Sequence, residues 1–270
     1  MVWWHALLLG VVQGLTEFLP VSSTGHLVLG KSLLGARSIE GASFEVSVHM
    51  GTLGSVLLYY RRDLAAMARE TFSRLFSPGG WAAGAREEGP FRLLVLVLLA
   101  TVPAGAVGLI WKDEVESMLD SPRVALYGLL ATGLWLLATR LAPREGRAPG
   151  LASALAIGLA QAVAILPGIS RSGSTVGAGL FCRLDPQDAA RFSFLMSIPV
   201  ILGAAVLKAP DLVARPPAGA DAAALVLGTV AAFAFGLLAI RVLLVLLARG
   251  RLACFGVYCL LAGGLGLLFL

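Results

Sequence analysis

A stretch that contains acidic, hydroxyl and imidazole side chains, TEFLPVSSTGHL, interrupts an apolar segment near the start of the chain. Gln13 and Glu17 are spaced i, i+4 and so share one face of a helix, which Pro20 ends or bends. Ser23 and His26 are spaced i, i+3 in the helix that resumes after the proline. This set suits a site in which a carboxylate binds a cation and an imidazole activates a hydroxyl or a water.

A second interruption, LPGISRSGST, contributes a guanidinium. Pro167 and Gly168 break the helix there, and Arg171 lies between two serines. Arginine offers a planar fork of donors that fits phosphate oxygens in pairs, and it stays charged inside a membrane. A helix that begins inside a cavity also presents free N–H groups to an anion. The two loops together predict a phosphoryl-transfer site that works mainly by positioning and charge.

We predict a catalytic set, a phosphate-binding set and a metal site from these loops. The catalytic residues are Glu17, Ser23, His26 and Arg171. The phosphate-binding residues are Ser22, Thr24, Ser170, Arg171, Ser172 and Thr175. The cofactor is a divalent cation, Mg²⁺ or Ca²⁺, held by Glu17 and, as a weaker candidate, Gln13. Structural alternatives stay open: a helix cap for Ser22, a hydrogen-bonded structural histidine for His26, and a counter-ion role toward Glu17 for Arg171.

The elements that position these loops lie in a chain too apolar for a soluble domain. Of its 270 residues, 58% are hydrophobic and 14% charged, and the mean hydropathy is +0.86. A soluble domain carries about a quarter charged residues, so we predict an all-α polytopic integral membrane protein. Strand-like alternation is absent, which favours a helical bundle. The net charge of +5 comes from arginines clustered in short connectors, which indicates membrane topology and anionic headgroups rather than a nucleic-acid partner.

About six segments are long and apolar enough to cross a bilayer as helices. They are residues 43–60, 91–111, 123–140, 190–208, 221–247 and 253–270. Because arginines concentrate on the cytoplasmic side, connectors 61–90 and 140–149 are predicted to be cytoplasmic and the acidic connector 112–122 to lie outside. Glu45 and His49 share a face of the first span, and we expect them to form part of the cavity wall.

The two interrupted regions, residues 2–35 and 150–184, also resemble each other. GVVQGLTEFLPVSSTGH begins at Gly10 and GLAQAVAILPGISRSGST begins at Gly158, and both run from a Gly-x-x-Gln through Leu-Pro to a serine-rich loop. Each half is only about 12–17 residues long, which is short for a crossing. We therefore interpret both regions as re-entrant helix–loop–helix hairpins that line a cavity near the bilayer midplane.

Each hairpin is followed by three spans, so the second unit must be inverted relative to the first. The prediction is a single membrane domain, 1–270, built from one repeat at about 1–140 and a second at about 150–270. The alternative is two full spans with proline kinks. That reading leaves Glu17 and Arg171 deep in the bilayer without a role, where ionisable side chains are costly.

The same residues resemble the bacterial undecaprenyl-diphosphatase family, also known as the bacitracin-resistance family. QGLTEFLPVSSTGHL, from Gln13, matches a motif in which Glu or Gln is followed four residues later by Glu. PGISRSGST, which ends at Thr175, matches the pattern Pro-Gly-x-Ser-Arg-Ser-x-x-Thr. FEVSVHMGT, RAPG and RFSFLMSIPVILGA look similar as well, so the likeness spans nearly the whole chain.

The resemblance implies a multi-pass enzyme of the bacterial cytoplasmic (inner) membrane that removes the terminal phosphate from undecaprenyl diphosphate. Its product is the lipid carrier of peptidoglycan and cell-wall synthesis, which links the activity to bacitracin resistance. By the same resemblance, Glu17 and Gln13 serve the metal and catalysis, Ser23 and His26 serve attack and proton transfer, and Arg171 serves the phosphate. Divalent-cation dependence, a homodimer and an inverted repeat are implied too. Gln13, in place of a glutamate, removes one charge from the metal site.

A transporter or flippase for a lipid phosphate or a small anion is the competing interpretation, because inverted repeats with broken helices are common in transporters. The grouping of Glu17, Ser23 and His26 favours an enzyme, since a carrier gains nothing from a nucleophile and a proton shuttle. A channel is disfavoured, because the sequence has no evident ring of like charge. The partners expected are a polyprenyl diphosphate and membrane lipids, with the site opening toward the outer leaflet.

Overall fold

The structure, a computed structural model, describes residues 2–35, 43–75, 80–119, 121–143, 145–214 and 219–269. Within these ranges the chain is helical apart from its connections and one isolated bridge between Arg147 and Leu184. The helices are α1 (Trp3–Phe18), α2 (Ser23–Leu34), α3 (Ser43–Tyr59), α4 (Arg61–Leu75), α5 (Gly80–Arg86), α6 (Pro90–Ile110), α7 (Lys112–Leu119), α8 (Pro122–Ala138, continued by a 3₁₀ turn at Thr139–Leu141), α9 (Leu151–Val163), α10 (Arg171–Phe181), α11 (Pro186–Ala214), α12 (Gly219–Ala248) and α13 (Ala253–Phe269).

The all-helical membrane fold is confirmed. Four segments within the described ranges are long and apolar enough to cross a membrane: Pro90–Ile110, Pro122–Leu141, Pro186–Pro210 and Gly219–Ala248. The other two predicted crossing segments form helices α3 and α13, each of 17 residues. A helix of that length spans about 25 Å, at the lower limit for a hydrocarbon core of about 30 Å.

Each of the two interrupted regions is a pair of helices separated by a break. The first break separates α1 from α2, and there Leu19 adopts an extended conformation because the residue before a proline is sterically excluded from the helical region. The second break separates α9 from α10. Each second helix starts at a serine cap: the hydroxyl of Ser22 accepts the N–H of Gly25 (3.3 Å), and that of Ser170 accepts the N–H of Gly173 (3.1 Å).

Glycine and alanine let the first helix of each pair pack closely against a long helix from elsewhere in the chain. Helix α1 packs along α12, and α9 packs along α6. A side chain at Gly10 would collide with the backbone of Gly228 in α12, and one at Gly158 would meet the carbonyl oxygen of Ala100 in α6. Inside a bilayer, where lipid tails are as apolar as leucine, such close backbone approach is a main source of helix association.

The long helices also enclose aromatic side chains near the break in the first pair. Phe18, the last residue of α1, packs edge-to-face on Phe194 of α11, with 5.3 Å between ring centroids, and both rings are fully buried. Tyr60 contacts the same Phe194 ring at 6.2 Å. The cluster fixes the end of α1, and with it Glu17, against the wall formed by α11.

We expect Gly10→Ala to lower the free energy of unfolding by about 1–3 kcal/mol, because the added methyl group overlaps the α12 backbone. The measurement is SDS or thermal unfolding of the purified protein in micelles. Gly264→Ala in α13 is the matched control, since nothing lies within 4 Å of an added Cβ there, and it should be neutral or mildly stabilising. Equal effects of the two changes would contradict close packing at Gly10.

A pH-dependent contact ties α4 to the start of α6, outside the spans. Glu70 accepts the backbone N–H of Phe91 at 2.9 Å and the Arg74 guanidinium at 2.7 and 2.9 Å. These bonds, the one from Phe91 first, hold the pKa of the Glu70 carboxyl below its ordinary value. The stabilisation is therefore complete above the unfolded pKa of about 4.3 and is lost as the pH falls through the lower folded value.

We accordingly expect Glu70→Gln to lower the unfolding temperature at pH 6–7, with the difference from wild type shrinking as the pH falls below about 4.3. Thermal unfolding in micelles across this range is the measurement. Glu88→Gln serves as the control, since that exposed carboxylate reaches Arg92 only at 3.7 Å. A Glu70→Gln deficit that stays constant down to pH 3 would exclude the proposed linkage.

Candidate active site

One buried carboxylate brings residues of both interrupted regions together. Glu17, whose side chain is only 6% exposed, accepts a hydrogen bond from Arg171 Nη2 on Oε1 at 2.5 Å. Its Oε2 accepts the Ser23 hydroxyl at 2.7 Å and the Gln13 amide Nε2 at 2.9 Å. Ser23 and Arg171 are the first residues of helices α2 and α10. Glu17 therefore contacts two of the other three predicted catalytic residues, one from each interrupted region.

The local backbone explains how two helix starts reach the same carboxylate. Ser22 has a φ of 68°, a left-handed conformation that is uncommon for serine and that turns the chain sharply into α2. In the second loop Gly168 has a φ of 84° and lies against the backbone of Ala125, so a side chain there would be both strained and obstructed. The two regions also meet at the breaks, because Gly173 of α10 lies against Pro20 of the first loop.

Helix α8 supports the second loop through two polar side chains. The Thr132 hydroxyl donates to the carbonyl of Gly168 (3.1 Å) and accepts the N–H of Ser170 (2.9 Å). Trp135 Nε1 donates to the carbonyl of Gly173 at 3.1 Å. Neither residue is among the predicted site residues. The sequence does contain a sign of this role: the two residues are spaced i, i+3 in an otherwise apolar span, which puts two hydrogen-bonding groups on one helix face.

On its other side Arg171 contacts α11. Its Nη1 donates to the Ser193 carbonyl at 3.4 Å, and the Ser193 hydroxyl pairs with the Thr175 hydroxyl at 2.6 Å. The Arg171 side chain is 15% exposed, so its guanidinium is held at the edge of the buried site rather than in solvent.

Most hydroxyls predicted to bind phosphate make bonds within the loops. Ser22 and Ser170 cap their helices, and Ser172 contacts Ser170 at 3.2 Å and the Leu19 carbonyl at 3.3 Å. Thr175 donates to the Arg171 carbonyl at 2.8 Å. Thr24 is half-buried beside them. Phosphate binding by these side chains stays a prediction, and the bonds give four of them a structural role as well.

His26 contacts a different partner from the one its spacing suggested. Its Nδ1 lies 2.8 Å from the Ser22 carbonyl oxygen, and its Nε2 lies 2.7 Å from the hydroxyl of Tyr258 in α13, on which the imidazole stacks. Because a carbonyl only accepts, Nδ1 carries the proton and Nε2 accepts from Tyr258. The Ser23 hydroxyl donates to Glu17 instead. The role of His26 in proton transfer stays a prediction.

His49, predicted only as part of the cavity wall, lies beside the carboxylate. Its Nε2 is 3.7 Å from Glu17 Oε2, and its Nδ1 is 2.7 Å from the backbone carbonyl of Glu45, one turn earlier in α3. Glu45 itself forms an ion pair with Lys31 of α2. The first span therefore adds an imidazole to the site.

The donor set around Glu17 fits a hard divalent cation with few protein ligands. Within the described ranges no group of three His, Cys, Asp or Glu side chains is arranged as a metal cage. Gln13 Oε1, however, is buried without a hydrogen-bond partner among the described residues, next to the Glu17 carboxylate. One carboxylate, one amide oxygen and several waters or phosphate oxygens are typical of Mg²⁺ sites. Metal binding itself stays a prediction.

Comparison with known proteins shows which family this chain belongs to. The model of that family, described as bacitracin resistance protein BacA, matches residues 6–265. The chain belongs to the BacA family. The matched residues include the first interrupted region from residue 6, the whole of the second and all four long apolar helices, so the BacA resemblance covers the site and its supports.

Three relatives align with this chain over nearly their entire length. An undecaprenyl-diphosphatase of Salinibacter ruber is 45% identical over 269 residues, 99% of each chain. One of Rubrobacter xylanophilus is 44% identical over 258 residues, 94% of this chain and 93% of the relative. Undecaprenyl-diphosphatase 3 of Bacillus anthracis is 37% identical over 266 residues, 98% of this chain and 96% of the relative.

We expect the Glu17–Arg171 pair in this BacA chain to show strong thermodynamic coupling. Arg171→Met leaves a buried carboxylate without its counter-ion and should destabilise the protein by about 3–5 kcal/mol. The double variant Glu17→Gln, Arg171→Met should recover most of that loss, because no uncompensated charge remains. Unfolding in micelles of the two single variants and the double variant gives the coupling free energy. Additive effects would show that the charges do not interact.

Proposed function

We propose that the protein hydrolyses undecaprenyl diphosphate to undecaprenyl phosphate and inorganic phosphate, and so regenerates the lipid carrier of cell-wall synthesis and contributes to bacitracin resistance. Membership of the BacA family supports this, as do three near-full-length relatives that carry the name undecaprenyl-diphosphatase. The apolar helices supply a membrane setting suited to a polyprenyl chain.

The observation that carries the proposal is the contact of Glu17 with both Ser23 and Arg171. The proton acceptor Glu17 lies 2.7 Å from the hydroxyl of the nucleophile, Ser23, and 2.5 Å from the phosphate-binding guanidinium of Arg171. Arg171 has further N–H donors beyond the one that Glu17 accepts. The first-turn amides of α2 and α10 add donors, because the first N–H groups of a helix have no intrahelical acceptor.

In the proposed reaction the Ser23 oxygen attacks the terminal phosphorus as Glu17 accepts its proton. An Oγ–P bond forms, and the bond from that phosphorus to the bridging oxygen breaks, which releases undecaprenyl phosphate. Water then attacks the phosphoserine, the Oγ–P bond breaks, and Glu17 returns a proton to the Ser23 oxygen. Arg171 and the helix amides offset the negative charge that the phosphoryl group carries throughout. The alternative is direct attack by water, with Ser23 only positioning that water. Trapping of a phosphoserine distinguishes the two reactions.

His26 has a separate part in this proposal. Its Nε2 accepts the Tyr258 hydroxyl, and Tyr258 is 46% exposed, so the pair extends from the site toward the protein surface. We assign to it proton exchange between the site and its surroundings. A bound phosphate or water must complete this path to Glu17, because the Ser22 carbonyl at Nδ1 does not relay protons.

We also propose that a divalent cation, Mg²⁺ or Ca²⁺, acts with these residues. Glu17 and the unpartnered amide oxygen of Gln13 would hold it. When bound, such a cation supplies charge stabilisation to the diphosphate. Ser23 and Arg171 keep the roles given above.

The finer architecture that we propose is an inverted repeat with two re-entrant hairpins and about six transmembrane helices, in a single membrane domain. Reciprocal contacts support it. The same number of positions separates Gly10 from Gly158 and Ser22 from Ser170, and these residues have equivalent contacts: each glycine packs on a long helix of the other half, and each serine caps a helix. Helices α8 and α13 likewise meet through Gly133 and Gly256, each against the other's carbonyl oxygen.

We place the protein in the bacterial cytoplasmic membrane, with the site near the midplane and open toward the outer leaflet. The charge pattern of the connectors supports this orientation, with arginines in 61–90 and acidic residues in 112–122. The homodimer remains a proposal that rests on the family resemblance.

Phosphate release from undecaprenyl diphosphate by the purified protein tests the function. We expect release with Mg²⁺ or Ca²⁺ and its loss with EDTA. Ser23→Ala, Glu17→Gln and Arg171→Ala should each reduce kcat/KM by about 10²–10⁴-fold, because they remove the nucleophile, its proton acceptor and the phosphate-binding cation respectively. Rapid quenching with a ³²P-labelled terminal phosphate reports whether Ser23 becomes phosphorylated.

Ser117→Ala, which removes an exposed hydroxyl on α7, is the matched control and should keep full activity. Unfolding curves for every variant separate lost chemistry from lost folding, which matters most for Arg171→Ala. A folded wild-type protein that releases no phosphate but moves lipid phosphates across vesicle membranes would refute the hydrolase and identify a carrier.

A further inference from the structure

We infer that His49 is a nitrogen ligand of the cation held by Glu17 and Gln13, and that this site therefore prefers a first-row divalent ion such as Mn²⁺ over Ca²⁺. The inference rests on the proposed function, because it concerns the metal ion of the same site. It adds a ligand of a different chemical class, and that ligand comes from the first span rather than from either loop.

The hydrogen bonding of His49 fixes which nitrogen is available. Nδ1 lies 2.7 Å from the backbone carbonyl oxygen of Glu45. A carbonyl only accepts, so Nδ1 carries the proton, and the neutral ring has its lone pair on Nε2. Holding one ring nitrogen by a backbone carbonyl is how metal-binding histidines are commonly oriented.

The lone pair on His49 Nε2 lies close to a second acceptor, the carboxylate of Glu17. Glu17 Oε2 is 3.7 Å away, too far for a direct hydrogen bond and near enough for two acceptors to repel. A divalent cation between the two atoms would accept an electron pair from each of them.

Gln13 provides the third acceptor. Its Nε2 is bound to Glu17, and its Oε1 is buried without a partner among the described residues. Glu17 thus has two neighbours with an available electron pair, the amide oxygen of Gln13 and the imidazole nitrogen of His49. Oxygen ligands alone suit Mg²⁺ and Ca²⁺, whereas imidazole favours first-row transition metals, and Mn²⁺ accepts both kinds.

Access and charge balance agree with such an ion. The His49 side chain is 31% exposed and that of Glu17 is 6% exposed, so the imidazole lies at the more open side of the site. Glu17 is already paired with Arg171, so the added positive charge is best offset by the diphosphate itself. The ion should therefore bind weakly alone and more tightly together with a diphosphate.

The test is electron paramagnetic resonance of Mn²⁺ bound to the full-length protein in micelles, with and without inorganic pyrophosphate. Pulsed measurements detect ¹⁴N of a coordinated imidazole. We expect this coupling in wild type, and we expect His49→Gln to abolish it and weaken Mn²⁺ binding at least 10-fold while changing Ca²⁺ binding less than 3-fold. Glutamine is chosen because it replaces the nitrogen ligand with an oxygen at similar reach.

The chain has three histidines, so the other two supply matched controls. His5→Gln and His26→Gln should both retain the coupling. Wild type labelled with ¹⁵N-histidine, in which the ¹⁴N signal must give way to a ¹⁵N signal, tests the ligand even if His49→Gln fails to fold. Coupling that survives in a folded His49→Gln, or Mn²⁺ and Ca²⁺ affinities that fall equally, would overturn the inference.

The outcomes also separate this inference from the proposed function. Wild type that hydrolyses undecaprenyl diphosphate with Mg²⁺ or Ca²⁺ but shows no imidazole coupling to Mn²⁺ would refute the nitrogen ligand alone. Coupling that depends on His49 in a folded protein that releases no phosphate would support the metal site and refute the hydrolase.

Discussion

The ion pair between Glu17 and Arg171 is the interaction on which the arrangement of both interrupted regions depends. In an apolar interior neither charge is tolerable alone, since removing one partner leaves the other without compensation. The pair therefore holds the start of α10 against the end of α1, and the Ser23 hydroxyl joins the same carboxylate. Breaks in the two helices are tolerated because serine caps and the α8 side chains satisfy the backbone that the breaks expose.

Much of the fold follows from the sequence because a bilayer restricts both the length and the backbone hydrogen bonding of the segments that cross it. Apolar length alone located α6, α8, α11 and α12 within a few residues, apart from the longer ends of α11. The breaks after α1 and α9 were equally readable, since proline removes a helix hydrogen bond and a following serine offers a cap. Length and composition do not decide whether the shorter α3 and α13 cross fully, because 17 residues lie at the lower limit of the hydrocarbon thickness.

The site was predictable where its contacts are local or where the likeness of the two loops suggests that they meet, as for Glu17 and Arg171. Gln13 with Glu17 is an i, i+4 pair, so helix geometry predicts it. The partner of His26 is Tyr258, far away in the sequence, and helical spacing carries no information about it. For His49, the sequence gives the helix face shared with Glu45 but not the neighbour opposite that face. Such contacts depend on how α3, α8 and α13 pack around the loops. The spacing of residues in a single sequence does not reveal that packing.

Ser23 and Arg171 occupy equivalent places, each at the first position of the helix that follows its break, and both contact one carboxylate. The charge balance of the site depends on this difference between the two loops. A second arginine at position 23 would leave one carboxylate facing two cations, and a second serine at position 171 would leave that carboxylate without a counter-ion.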